Sequence, residues 1–154
     1  MLMRNRRRGF TLIELLIVIA IVTILVTIAA VKLPKALMNT REMSALVTVK
    51  AIQQGEIMYS SMFNKYAGTL AELGPPASGQ PNASAADVLG ADVSGGLKTG
   101  YKFVVAERPG GYTVSAVPEN YGSSGTKTYY SDESMVIHEH SGPEPATIQD
   151  PIVK

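Results

Sequence analysis

Arg8-Gly9-Phe10-Thr11-Leu12-Ile13-Glu14-Leu15-Leu16-Ile17-Val18-Ile19-Ala20 is the stretch on which the reading of this chain turns. The apolar run continues from it to residue 31, and residues 10–31 carry one charge, Glu14. Fifteen of those 22 residues are Leu, Ile, Val or Phe. As a helix the run is about 33 Å long, enough to cross the hydrocarbon of a bilayer. At roughly −0.4 kcal/mol per large apolar residue, insertion gains about 6 kcal/mol, more than the cost of one carboxylate near a helix end. Before the run stand Arg4, Arg6, Arg7 and Arg8 and no acidic residue. Positive charge is retained on the cytoplasmic side, which places everything after residue 31 outside.

Three readings fit this segment. A secretory signal peptide has an apolar part of 7–15 residues and a small-x-small cleavage site. Here the run is longer, and Ile28-Ala29-Ala30 matches such a site poorly. An uncut anchor on a periplasmic domain fits by length and flanks. Neither explains Glu14, because ionisable groups inside a membrane are costly and mark function with a nearby partner.

The third reading is a resemblance. The basic leader, Gly9, Phe10, the spacing to Glu14 and the unbroken helix resemble the leader and first helix of type IV pilins and type II secretion pseudopilins. The resemblance implies that a prepilin peptidase cuts between Gly9 and Phe10 and that Phe10 is then N-methylated. Gly9 suits a cut, since a residue without a side chain lets a protease approach the backbone. It also implies that Glu14 pairs with the new Phe10 amine of a neighbouring subunit during assembly. An unpaired carboxylate in hydrocarbon is unfavourable, so such a pair would select the register. A pair between Glu14 and its own amine is the alternative. The partners implied are further copies of the chain, the peptidase, an ATPase-driven assembly machine and inner-membrane lipid, with the N-terminus cytoplasmic. The filament would then stand in the periplasm or outside the cell.

Working outward, Lys32, Leu33, Pro34 and Lys35 mark the exit from the membrane, and Pro34 is expected to kink or locally unwind the helix. An amphipathic half follows over residues 34–64, with Ala45, Val49, Ile52, Tyr59 and Phe63 on one stripe. Met43, Met58 and Met62 read as core filling, and Gly55 as a point of fraying. Residues 65–100 read as loops with two short helices. These open at capping patterns, Thr69-Leu70-Ala71-Glu72 and Ser84-Ala85-Ala86-Asp87. Period-two runs over residues 101–138 predict a three- or four-stranded antiparallel meander, with residues 107–111 as a hairpin loop. Residues 139–154 form a polar, Pro-punctuated tail expected to be loosely held. The fold expected is α+β: a long first helix, half membrane-spanning and half amphipathic, on a small sheet, as the resemblance also implies.

Composition narrows the chemistry. Among 154 residues there is no Cys, which excludes disulfides, thiol catalysis and Cys-ligated zinc, and the two His offer little for metal or triad work. Fourteen basic against 13 acidic side chains fall to ten against 13 once residues 1–9 are removed. The exported part is therefore mildly acidic, and nucleic-acid binding through a basic surface is not expected. His138 and His140 share one strand face, a pair lacking a third ligand at a fixed spacing. Major pseudopilins carry an acidic calcium loop. Here Trp is absent and Asp132 with Glu133 is a thin counterpart. No enzyme motif emerges, no cofactor is expected, and a non-enzymatic filament subunit is the reading. A type II secretion pseudopilin is its nearest rival.

Overall fold

The computed structural model describes residues 9–153. The chain divides into two compact units, residues 1–36 and 37–154. The elements in order are helices α1 (Leu12–Phe63), α2 (Leu70–Leu73) and α3 (Ala91–Ser94), then strands β1 (Leu97–Lys98), β2 (Tyr101–Arg108), β3 (Gly111–Pro118), β4 (Lys127–Asp132) and β5 (Ile137–Ser141). The helix is continuous through Pro34. In the first unit the described apolar side chains are all exposed.

In the second unit the amphipathic half of α1 lies on the sheet, as its period requires. Ala45, Val49, Ile52 and Tyr59 are fully buried, in one core with Phe103, Val105, Val114, Ala116 and Tyr129; Phe63 packs against it half-buried. Burying that much apolar surface, at about 25 cal/mol per Å², outweighs the roughly 1 kcal/mol that Gly55 costs the helix. Gly55 does not fray: it is buried mid-helix, and residue 88 packs close against it.

The methionines correct the sequence reading. Met43, Met58 and Met62 are 70%, 54% and 50% exposed, off the buried stripe. Helical angle decides this, because none of the three falls on the 45–49–52–59 line.

The sheet has five strands in the order β1-β2-β3-β4-β5, all antiparallel. It therefore has one strand more than the upper expectation. The addition is the two-residue β1, too short to leave a period in the sequence. The β2–β3 hairpin is also tighter than expected. Arg108 pairs with Gly111, leaving a two-residue turn in which Gly110 takes φ +81. Proline ahead of a glycine with positive φ is favourable turn chemistry.

The second capping pattern opens no helix. Over residues 86–89 the backbone N–H groups instead donate to Glu72, Gly74 and Leu73 carbonyls, at 2.8–3.0 Å, and the short helix begins later, at Ala91. Those donors are committed to α2 and its end, so a helix at Ser84 would have to give them up.

Nor is the carboxyl-terminal segment loose. Val153 N–H donates to the Ile137 carbonyl (2.9 Å) and Glu139 N–H to the Pro151 carbonyl (2.8 Å). His138 and Ile152 form an antiparallel bridge. Ala146 is buried, and the Thr128 hydroxyl donates to the Glu144 carbonyl (2.8 Å).

Candidate functional site at the amino-terminal helix

The first helix starts at Leu12, and Thr11 caps it. Glu14 N–H donates to the Thr11 hydroxyl (3.3 Å), while Thr11 N–H reaches back to Glu14 Oε2 at the outer limit of a hydrogen bond (3.5 Å). This reciprocal arrangement satisfies two of the donors a helix start leaves unpaired. It also puts the carboxylate in the first turn, where the helix dipole favours negative charge. Gly9 and Phe10 precede the helix. Phe10 is 80% exposed, and a Cβ built on Gly9 would meet nothing within 4 Å. The bond between them is thus uncovered by the described residues. Arg4, Arg6, Arg7 and Arg8 lie outside the described residues.

Farther along the apolar stretch both threonine hydroxyls find partners on the helix itself. The Thr23 hydroxyl donates to Ile19 and Ala20 carbonyls (2.8 and 2.9 Å) and the Thr27 hydroxyl to Ile24 (2.7 Å). Folding its hydroxyls back on its own backbone lets a helix tolerate Thr in hydrocarbon. Among the described residues one helix is long and apolar enough to cross a membrane.

The weak metal candidates fall in two places, each explained by its own partners. Arg108 donates to both Asp132 (3.1 Å) and Glu133, holding the hairpin to the end of β4. Burial would raise the Asp132 carboxyl, but hydrogen bonds from Ser134 and the Arg108 charge outweigh it and leave it low. The hydrogen bond from Arg108 also holds Glu133 low. At the other place, Nδ1 of His140 meets Asp150 Oδ1 (2.9 Å) and Nδ1 of His138 meets the Asp150 carbonyl (2.6 Å). Asp150 is held low first by the Thr147 hydroxyl, then by Thr147 N–H and His140. Among the described residues no group of three or more His, Asp or Glu side chains is placed to hold a metal ion.

Sequence reasoning missed one ionisable group. Glu56 has no exposed surface, and its Oε2 accepts from Ala67 N–H (2.9 Å) while Oε1 has no partner. Burial pushes its carboxyl up to about 7, opposed by the Ala67 bond and reinforced by Glu72 and Glu107. The signal was present: position 56 lies on the same helical stripe as Ile52 and Tyr59, where a carboxylate is out of place.

Residues 4–30 match the family model for the prokaryotic N-terminal methylation motif, the prepilin-type signal of type IV pilins and pseudopilins. No curated protein and no solved structure matches the chain.

Proposed function

From a chain whose residues 4–30 carry the prepilin-type methylation motif, we propose a structural subunit of a type IV pilus or pilus-like filament. The observation that carries this reading is the coincidence of that motif with a capped apolar helix whose start holds Glu14 beside the Gly9–Phe10 bond. Hydrolysis of that bond leaves a carboxylate on Gly9 and a new amine on Phe10, which is then methylated. The chain waits in the inner membrane with Phe10 on the cytoplasmic side. Glu14, one helical turn from that amine, pairs with the Phe10 amine of a neighbouring subunit as helix replaces lipid around helix. Within the second unit, Met43, Val47, Ile57, Met58 and Met62 give a further exposed apolar face that neighbouring subunits would cover. Flexible Met side chains suit a surface that must fit several neighbours.

Mass spectrometry of the mature protein tests the processing: methyl-Phe10 supports it, and an intact Met1 ends it in favour of an uncut anchor. Glu14→Ala tests the assembly step. The expected result is normal cleavage with filaments lost, and normal filaments would refute the role given to Glu14. Surface fibres missing from a deletion strain would support the pilus, whereas retained fibres with lost protein export would point to the type II secretion pseudopilin.

A further inference from the structure

The sheet treats its two edges differently. The outer edge of β5 is closed by residues 151–153. At the other edge β1 covers only Tyr101 and Lys102, and the Gly96 carbonyl takes Phe103 N–H (2.8 Å). The two-residue turn fixes which β2 groups face β3. Arg108, Ala106 and Val104 bond across the hairpin, so Phe103, Val105 and Glu107 aim their backbone outward. The Phe103 carbonyl and both backbone groups of Val105 and Glu107 thus point away from β3, with no hydrogen bond formed there among the described residues, on a margin where Glu107 is exposed and Phe103 and Val105 are largely covered by their neighbours. Beside this edge runs a groove of about 640 Å³, whose lining includes Leu70, Leu97, Val105 and Val117 together with the charged Lys102 and Glu119.

Charge marks one end of that edge. A Cβ built on Gly68 would lie 3.5 Å from Glu72 Oε1 and 3.8 Å from Glu107 Oε2, so both carboxylates converge there. Glu72 accepts only from neutral donors, the Tyr59 hydroxyl, Gly68 N–H and the Thr69 hydroxyl. Among the described residues neither carboxylate has an ion pair. Exposed sheet edges are normally blunted by charge, bulges or covering chain, because a bare one templates another strand.

We propose that this edge docks an extended peptide segment with apolar residues at alternate positions and a lysine or arginine at the end that reaches Glu72 and Glu107. Main-chain hydrogen bonds to Phe103, Val105 and Glu107 supply adhesion without regard to sequence, the groove takes every second side chain, and the carboxylate pair selects the cation. Four to five extended residues, at about 3.3 Å each, span the free stretch. This use of the head goes beyond filament assembly and does not depend on it.

The full-length chain in detergent micelles, isotope-labelled for NMR, is titrated with dye-labelled Lys-Val-Thr-Val-Thr-Val and with the same peptide bearing Glu in place of Lys. Anisotropy reports binding, and amide exchange reports the edge. The Lys peptide should bind and slow exchange at Val105 and Glu107. The Glu peptide, and the Lys peptide on Glu107→Lys, should bind on the order of tenfold more weakly. Unchanged exchange within β3 and β4 shows that the variant is folded. Equal binding of the two peptides, or binding that leaves both amides unprotected, overturns the proposal. So does protection of those amides without peptide that grows with protein concentration, since the occupant would then be a second copy.

Discussion

Glu56 makes the stability of the second unit depend on pH in a direction opposite to most carboxylates. In the folded chain its proton is held to about 7, against 4.5 for the ordinary side chain. The folded state therefore binds the proton over a range where the unfolded chain has released it. Stability is full below about 4.5, falls as pH rises towards 7, and is level above that. Linkage puts the loss at about 2.5 kcal/mol between about pH 5 and about pH 8. Glu56→Gln keeps an oxygen for the Ala67 N–H but removes the titration. Urea unfolding of the full chain in micelles, followed by tyrosine fluorescence, gives the stability of each protein at each pH. Subtracting one from the other cancels every other titrating group. Asp132, Glu133 and Asp150 are held low, so their contributions fall at lower pH. Wild type should lose about 2.5 kcal/mol relative to Glu56→Gln over that interval. A difference that stays flat, or grows in the other direction, would show that the carboxylate is solvated or paired and refute the account of its burial.

Three further outcomes follow from packing and hydrogen bonding. Gly125→Ala should destabilise by about 1–3 kcal/mol, because the new methyl falls on the hydroxyl end of buried Tyr101. In the Tyr101→Phe background the same change should cost measurably less in a thermal melt, and equal costs would exclude that clash. Gly55→Ala should stabilise by about 0.5–1 kcal/mol, since its Cβ would lie 3.7 Å from Val88 and 3.9 Å from Leu73, both ordinary contacts. A lower melting temperature would contradict this. Val153→Pro removes the donor to the Ile137 carbonyl and should cost about 1 kcal/mol while speeding exchange of the Glu139 amide; unchanged exchange there would count against the closed edge.

What the sequence made legible was whatever repeats with a period or sits in a contiguous signature. The stripe of Ala45, Val49, Ile52, Tyr59 and Phe63 repeats over five turns, and it emerges as core in its first four members, with Phe63 half-buried at the end. The segment around Glu14 carries its signature in consecutive residues, and the capping pair of Thr11 and Glu14 needs only three residues of separation. What stayed hidden depends on partners distant in the chain. Ser84-Ala85-Ala86-Asp87 has the letters of a helix start, but its N–H groups are spent on α2. The Pro-rich residues after 141 look like a tail because their hydrogen-bond partners, Ile137, Glu139 and Thr128, cannot be read from their own composition. Met43 illustrates a different failure: hydrophobicity says that a residue seeks cover but not whether its own chain provides it.

Sealing β5 with residues 151–153 sets an order on folding. A head that has emerged only as far as residue 141 has all five strands but a raw margin, with Ile137 and Glu139 lacking their ladder partners. Such a half-made chain is prone to stick to its siblings through that margin. The chain is then most vulnerable in the short interval before residues 151–153 dock against β5.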